Sequence, residues 1–324
     1  MARKKERVEI ASRTHPRSDE ELDTGRRGQA ESRSGSEPAT VSGRWLLGAV
    51  ALTVGAAILC VWGALCLLFW QGSWQLLYHP AATVARTPAS AGLAFDAVGF
   101  AATDAGTPQL TGWWIAAAPD TRFCRLTVLD LHGQDGNLGD TVDALARLHA
   151  AGVNVLAFDY RGYGQSQFAR PSEVHWREDA ESALQYLTAT RHVAPGAIVL
   201  DGTAVGANLA LEEAAAHPEL VGVIVESPLA DPTSAFFSDA RARLVPARLL
   251  VHDRYDLNAA AAKVRVPVLW FASDERSKAG VLPHEPKAYE KVAGRRMLVW
   301  LPSANSDKSF EDALARWLDE LPTR

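Results

Sequence analysis

The sequence predicts an α/β domain, a mostly parallel sheet with helices on both faces, preceded by one transmembrane helix. Three observations predict it. Six short, continuous apolar runs recur between residues 125 and 302, and strands buried on both faces read as unbroken hydrophobic runs rather than alternating ones. Segments with apolar residues at helical spacing separate them, as a parallel sheet requires. Ahead of them lies one charge-free run of 26 residues, where about 20 suffice to cross a bilayer as a helix.

The chain divides into a tail over residues 1–44, a span over 45–70 and a folded domain over 71–324. The tail is polar and rich in Arg, Glu and Ser, a composition that predicts disorder. The run from Trp45 to Trp70 has tryptophans at both ends, where membrane interfaces favour them. A signal peptide has a short basic start and a shorter apolar run, so the segment is expected to be retained. Ten Lys or Arg lie in the tail, including Arg3, Lys4, Lys5, Arg26, Arg27 and Arg44, while the fifty residues after the span carry only Arg86. The positive-inside rule then puts the N-terminus in the cytoplasm and the C-terminal domain on the opposite, periplasmic or extracytoplasmic, side. A net charge of −5 and the lack of a basic stripe interleaved with aromatics argue against nucleic acid as a partner. The expected membrane partner is lipid, through the single span. Cys60 and Cys66 lie in the apolar run and Cys124 stands alone. None has metal-ligand spacing, and Cys124 reads as a small buried residue.

Within the domain, residues 93–119 predict two antiparallel strands with a turn near 104–107. Trp113 and Trp114 then point to opposite faces, one into the core and the other against core or pocket. The buried strands are predicted at Arg125–Leu131, Val153–Asp159, Ala197–Asp201, Val221–Ser227, Val266–Ala272 and Met297–Pro302. A helix starts at the acidic Asp140 and stops at Gly152. Another follows over 178–190. The last helix is predicted to be capped by Ser309, with Phe310, Ala313, Leu314, Trp317, Leu318 and Leu321 recurring on its sheet-facing side.

Seven short motifs fall in order along this pattern: LYHP (Leu77–Pro80), LHGQDGN (Leu131–Asn137), FDYRGYGQS (Phe158–Ser166), PSE (Pro171–Glu173), Asp179–Ala180, GTAVG (Gly202–Gly206) and ESP (Glu226–Pro228). Together they resemble the α/β-hydrolase superfamily. The nearest branch is the membrane-anchored α/β-hydrolase domain proteins, which include lysophospholipases and acyl-protein thioesterases. The resemblance covers the chain from about Tyr78 onward. It implies an α/β-hydrolase fold with a short lid. It also implies a nucleophilic serine on the turn after the fifth strand, an acid and a histidine after later strands, and two backbone N–H groups for the oxyanion.

Placed on this sequence, the resemblance finds the machinery incomplete. The nucleophile position is Ala204, whose methyl group cannot attack a carbonyl; Thr203 and Asp201 lie out of place on the elbow. The acid position matches Asp274, with Glu275 competing. The histidine is due in PSANSDKS, where Asn305 or Ser306 stands instead, and an asparagine is no base near neutral pH. The oxyanion region is matched by His132, Gly133 and Gln134 and by the N–H of Val205, a place that can hold a carbonyl or an anion without catalysis. His132 is a structural residue of that loop in the family, and Ser166 sits in a turn. His175 reads as a surface residue and His252 as part of the lid. No cofactor and no metal is expected, since neither a phosphate loop nor a Cys/His cluster occurs. The leading expectation is a pseudohydrolase that binds a lipid, an acyl ester or a partner. The alternatives are an ester or thioester hydrolase with a non-standard site, and a membrane-proximal scaffold.

Overall fold

The computed structural model of the chain describes residues 41–102, 106–273, 286–301 and 306–322. It divides into two compact units, 1–55 and 56–324. Helix α1 (Gly43–Gly72) carries the charge-free run and is long and apolar enough to cross a membrane. Residues 1–40 of the tail lie outside the described residues, and its last two, Gly43 and Arg44, already belong to α1.

The domain is built on eight strands: β1 (Asp96–Ala102), β2 (Pro108–Ile115), β3 (Thr127–Leu131), β4 (Asn154–Asp159), β5 (Ile198–Thr203), β6 (Gly222–Glu226), β7 (Val268–Ser273) and β8 (Arg296–Leu301). They lie in the order β8-β7-β6-β5-β3-β4-β2-β1. β1 and β2 pair antiparallel, β2 joins β4 antiparallel, and β4 through β8 with β3 are parallel. All six predicted buried strands and the predicted hairpin are present, with ends shifted by one or two residues, the usual uncertainty of strand boundaries.

Helices cover both faces. On one lie α2 (Leu138–Ala150) and α9 (Ser306–Asp319); on the other lie α3 (Glu173–Gln185), α4 (Val205–Ala216), α7 (Leu257–Lys263) and α8 (Lys287–Lys291). α2 begins two residues before the predicted start because Asn137 caps it. The Asn137 side chain accepts from Gly139 N–H, and Asp140 accepts from Asn137 N–H, so two orphan donors of the first turn are satisfied. α9 begins at Ser306, three residues before the predicted cap, which leaves Ser309 inside the helix. Asp307 in its first turn suits the positive end of the helix dipole. The predicted apolar stripe holds: Phe310, Ala313, Leu314, Trp317, Leu318 and Leu321 are all buried. Trp113 and Trp114 are both core residues, one in each layer, and Trp114 also lines a 610 Å³ basin. Cys124 is half-buried rather than buried, its Sγ 3.4 Å from the Pro119 carbonyl oxygen.

Between β6 and α7 the chain forms a small cap with α5 (Ser234–Ser238) and α6 (Ala247–Leu250), in the place of the predicted lid. Its end is tied down by polar contacts: Tyr78 Oη donates to Asp253 Oδ2 at 2.7 Å and lies 2.8 Å from Tyr255 Oη. Asp253 Oδ1 accepts from Glu173 N–H at 3.1 Å. The Glu173 carboxylate in turn accepts from the N–H groups of Arg254 and Tyr255.

The tightest packing is at the crossing of β5–α4 over β3. A Cβ on Gly206 would lie 2.0 Å from the Leu131 carbonyl oxygen and 2.4 Å from that of His132. One on Gly202 would lie 2.4 Å from the Gly206 carbonyl oxygen. These neighbours are backbone and cannot turn aside. Gly206→Ala is therefore expected to cost more than about 3 kcal/mol, the range of severe core strain, seen as a lowered denaturant midpoint. A midpoint unchanged from that of the parent chain would show that the crossing is looser than described.

Candidate active site

The site sits where β5 turns into α4. Ala204 holds φ 53° and ψ −117°, a conformation a non-glycine residue occupies at a cost of order 1–3 kcal/mol. Its N–H donates to the Glu226 carbonyl at 3.0 Å and its carbonyl accepts from Ala207 N–H at 3.1 Å. The strained elbow is thus fully formed and carries a methyl group at its apex. Thr203 is exposed beside it. Asp201 points away from it, buried at 1% exposure.

The loop after β3 lies against the elbow, since a Cβ on Gly133 would come within 3.3 Å of the Thr203 carbonyl oxygen and 3.4 Å of Ala204 Cβ. Val205 N–H does not stand open. It donates to Gln134 Oε1 at 3.3 Å, so the side-chain amide of the loop sits on the donor an oxyanion would use. Gln134 Nε2 donates to Asp135 Oδ2 at 2.7 Å, and Asp135 Oδ1 meets His79 Nδ1 at 2.7 Å. His79 is held there by its own N–H, which donates to the Gln134 carbonyl at 2.9 Å. A chain of hydrogen bonds therefore runs from the elbow N–H to an exposed His–Asp pair. The pair was invisible to sequence reasoning: its members are 56 residues apart, and LYHP drew attention without a role for its histidine.

His132 is structural, as the resemblance implied. It is 1% exposed and packed against Tyr160, Tyr163 and Trp176. Its Nδ1 meets the Gly133 carbonyl at 2.8 Å; a carbonyl only accepts, so the proton is on Nδ1. Burial lowers its pKa to about 4, which keeps the ring neutral. Ser166 ties the turn as expected, its Oγ accepting from Thr111 N–H and donating to the Asp159 carbonyl. Asp179 accepts from the N–H and Nε of Arg161. His175 bonds the Arg170 carbonyl, and His252 is exposed in the cap. Asp274, Glu275 and Asn305 lie outside the described residues, as does the side chain of Ser306.

A second group of side chains was missed. Asp130, Asp201 and Glu226 project from adjacent strands β3, β5 and β6 into the α2–α9 layer. Asp130 and Asp201 are register partners and are 2% and 1% exposed. Arg147 of α2 is the cation facing them, 3.7 Å from Glu226 Oε2, with its guanidinium 4.5 Å over the Phe310 ring. Asp130 Oδ2 and Asp201 Oδ1 have no hydrogen-bond partner. Their signal was present: each acid stands two residues after a β-branched residue facing the same layer, Val128, Val199 and Ile224. Among the described residues the cluster with metal-ligand proximity is Glu181, Glu213 and His217, on α3 and the end of α4. His217 bonds a carboxylate through each ring nitrogen, Glu219 and Glu181, so an imidazolium accounts for the arrangement.

A family model described as serine aminopeptidase, S33, matches residues 124–293. The chain belongs to the α/β-hydrolase superfamily. An uncharacterized protein of Mycobacterium tuberculosis, Rv2307c, is 30% identical over 253 residues, which cover 75% of this chain and 87% of that protein. Protein bem46 of Schizosaccharomyces pombe is 29% identical over 102 residues, 31% of this chain and 34% of that protein. Among solved structures, the esterase Pf2001 of Pyrococcus furiosus shares 17% identity over 76% of this chain and 97% of its own, with a TM-score of 0.54. The last likeness is one of fold.

The acid cluster gives this hydrolase-fold domain an unusual pH dependence. Burial pushes Asp130 from its ordinary 3.8 to about 7, with Glu226 nearby adding to the effect. Burial likewise pushes Glu226 from 4.5 to about 7. Asp201 is raised by burial, then by Glu226 and Asp130. The folded state holds protons that the unfolded chain releases, so these groups stabilise fully below the unfolded values and the contribution fades as pH rises through about 7. Unfolding free energy should therefore fall between pH 5 and pH 8 (roughly, from the linkage relation). Asp201→Asn should raise it by about 1–3 kcal/mol at the upper end and flatten the slope. An identical slope in the variant would count against the cluster as its source.

Proposed function

We propose that this chain is a membrane-anchored pseudohydrolase, which binds a lipid-like acyl or ester ligand at the elbow without turning it over. Helix α1 supports the anchoring, and the charge bias of the tail supports a cytoplasmic N-terminus. The observation that carries the reading is Ala204 in a complete elbow. The strain that normally aims a serine is kept, and the group that would react is not. The sequence that follows β8, PSANSDKS, also holds no histidine. With a triad removed, a site of this kind retains only about 10³–10⁴-fold over water, far below the roughly 10⁶-fold or more that enzymes reach. Gln134 Oε1 on Val205 N–H acts in the same direction, because a substrate carbonyl must first displace it.

The test is hydrolysis of a short nitrophenyl ester by the full chain in detergent. The parent protein is expected to match buffer alone. Ala204→Ser with Asn305→His is expected to raise the rate at least about tenfold, since both groups of a nucleophile–base pair are needed together. Saturable turnover by the parent chain would overturn the reading.

One observation favours a second reading, an ester or thioester hydrolase with a non-standard site. The His79–Asp135 pair is a base with an orienting carboxylate, linked through Gln134 to the oxyanion donor. His79 Nε2 would take a proton from a water whose oxygen attacks the ester carbonyl, and the imidazolium would give that proton to the leaving alkoxide or thiolate as its bond to the carbonyl carbon breaks, releasing acid and alcohol or thiol without an acyl-enzyme. Should the parent chain turn esters over, His79→Ala is expected to abolish the rate; activity that survives this change sinks the second reading.

A further inference from the structure

Membrane proteins expose apolar side chains where lipid meets them, whereas a water-facing surface keeps large exposed apolar residues scattered. The cap breaks the second pattern. Leu244 and Leu249 are 62% and 77% exposed in the stretch ARARLVPARLL (residues 240–250). The same stretch holds Arg241, Arg243 and Arg248 and no carboxylate. Asp239 neutralises Arg241; Arg243 and Arg248 have no carboxylate partner among the described residues. The Arg248 guanidinium lies 5.6 Å over the Phe237 ring, and apolar side chains flanked by arginines without a carboxylate partner suit an anionic headgroup layer.

The cap is also continuous with the membrane helix. Trp62 Nε1 donates to the Leu244 carbonyl at 3.0 Å. Trp62, Cys66 and Phe69 recur at helical spacing on α1, and Ser73 follows in the turn just past its end; Phe69 and Ser73 are buried, Cys66 half-buried and Trp62 exposed. The other sides of these turns, at Leu65, Leu67, Leu68 and Trp70, are exposed, and α5 touches the turn Ser73–Leu76. Counted along the helix from Trp45, about 20 residues at 1.5 Å each cover a hydrocarbon core of roughly 30 Å and end near Ala64. Trp62, and the Leu244 backbone bonded to it, then sit at the level of the second interface. Nearby, the Arg170 guanidinium lies 5.8 Å over the Trp70 ring, as a cation at headgroup depth does.

We propose that the cap segment 240–250 docks on an anionic lipid surface beside α1, with Leu244 and Leu249 entering the interface and Arg243 and Arg248 meeting lipid phosphates. The proposal rests on the reading of α1 as a membrane span. It gives the cap a second role: a lipid-derived ligand would reach the fold from the bilayer through a surface already seated on it.

The full chain, with its cysteines changed to serine and one probe site at a time, is reconstituted in vesicles of phosphatidylcholine with phosphatidylglycerol. An environment-sensitive fluorophore is attached at Leu249→Cys or at Val54→Cys, and lipids spin-labelled near the headgroup or deep in the chain act as quenchers. The proposal expects the Leu249 probe to lose emission to the shallow quencher and the Val54 probe to the deep one. Arg243→Gln with Arg248→Gln should restore emission at Leu249 in these vesicles. A quenched Val54 probe with an unquenched Leu249 probe overturns the docking and leaves the span standing, as a cap facing water or a protein partner would. An unquenched Val54 probe overturns the span and the docking with it.

Discussion

Helix α4 starts almost in contact with strand β3, and the rest of the site follows from that crossing. Gly206 brings the first turn of the helix onto the carbonyl oxygens of Leu131 and His132, where a Cβ would come within 2.4 Å of both. Gly202 lets β5 fold back on the helix it feeds. With both ends fixed, Ala204 has no conformation left but the strained one it adopts. The N–H of Val205 then faces the loop after β3, and that loop lies close enough for Gln134 to reach it.

The same sheet ends carry two electrostatic arrangements that pull in opposite directions. On the α3–α4 side, Tyr78, Glu173, Asp253 and Tyr255 are joined by hydrogen bonds, so their burial is compensated by partners. They tie the segment after the membrane helix to the end of the cap. On the α2–α9 side, two buried carboxylates and the half-buried Glu226 face one guanidinium, and two oxygens of the buried pair lack partners. An uncompensated buried acid is expensive in its charged form, and protonation is the way this site lowers that cost.

The elbow of this chain is complete, and an alanine stands at its apex. The sheet order, the elbow and the loop after β3 are those of an α/β-hydrolase, and family membership rests on them and on the sequence match. Function depends on the groups at the apex, not on the scaffold. An alanine stands at the apex and the Gln134 side chain on the Val205 N–H, with the elbow itself built as the fold requires.

By itself the sequence determined the membrane-spanning length, the strands and the motifs between them, the elbow and the alanine at its apex. These are local properties: unbroken apolar runs, two glycines four residues apart, one residue type at one place. Ala204 was legible because the elbow is a contiguous pentapeptide. The tertiary structure alone decided what distant segments make of each other. His79 and Asp135 meet only because two short segments pair, Gln134 covers Val205 N–H only because the loop folds onto the elbow, and Leu244 meets Trp62 across 182 residues. The start of α9 was missed because Ser309 reads as a cap in sequence, whereas the helix already runs from Ser306. The acid cluster lies between these cases. Its alternation with Val128, Val199 and Ile224 is written in the strands, but that the three acids converge on Arg147 is a consequence of sheet order and of where α2 packs.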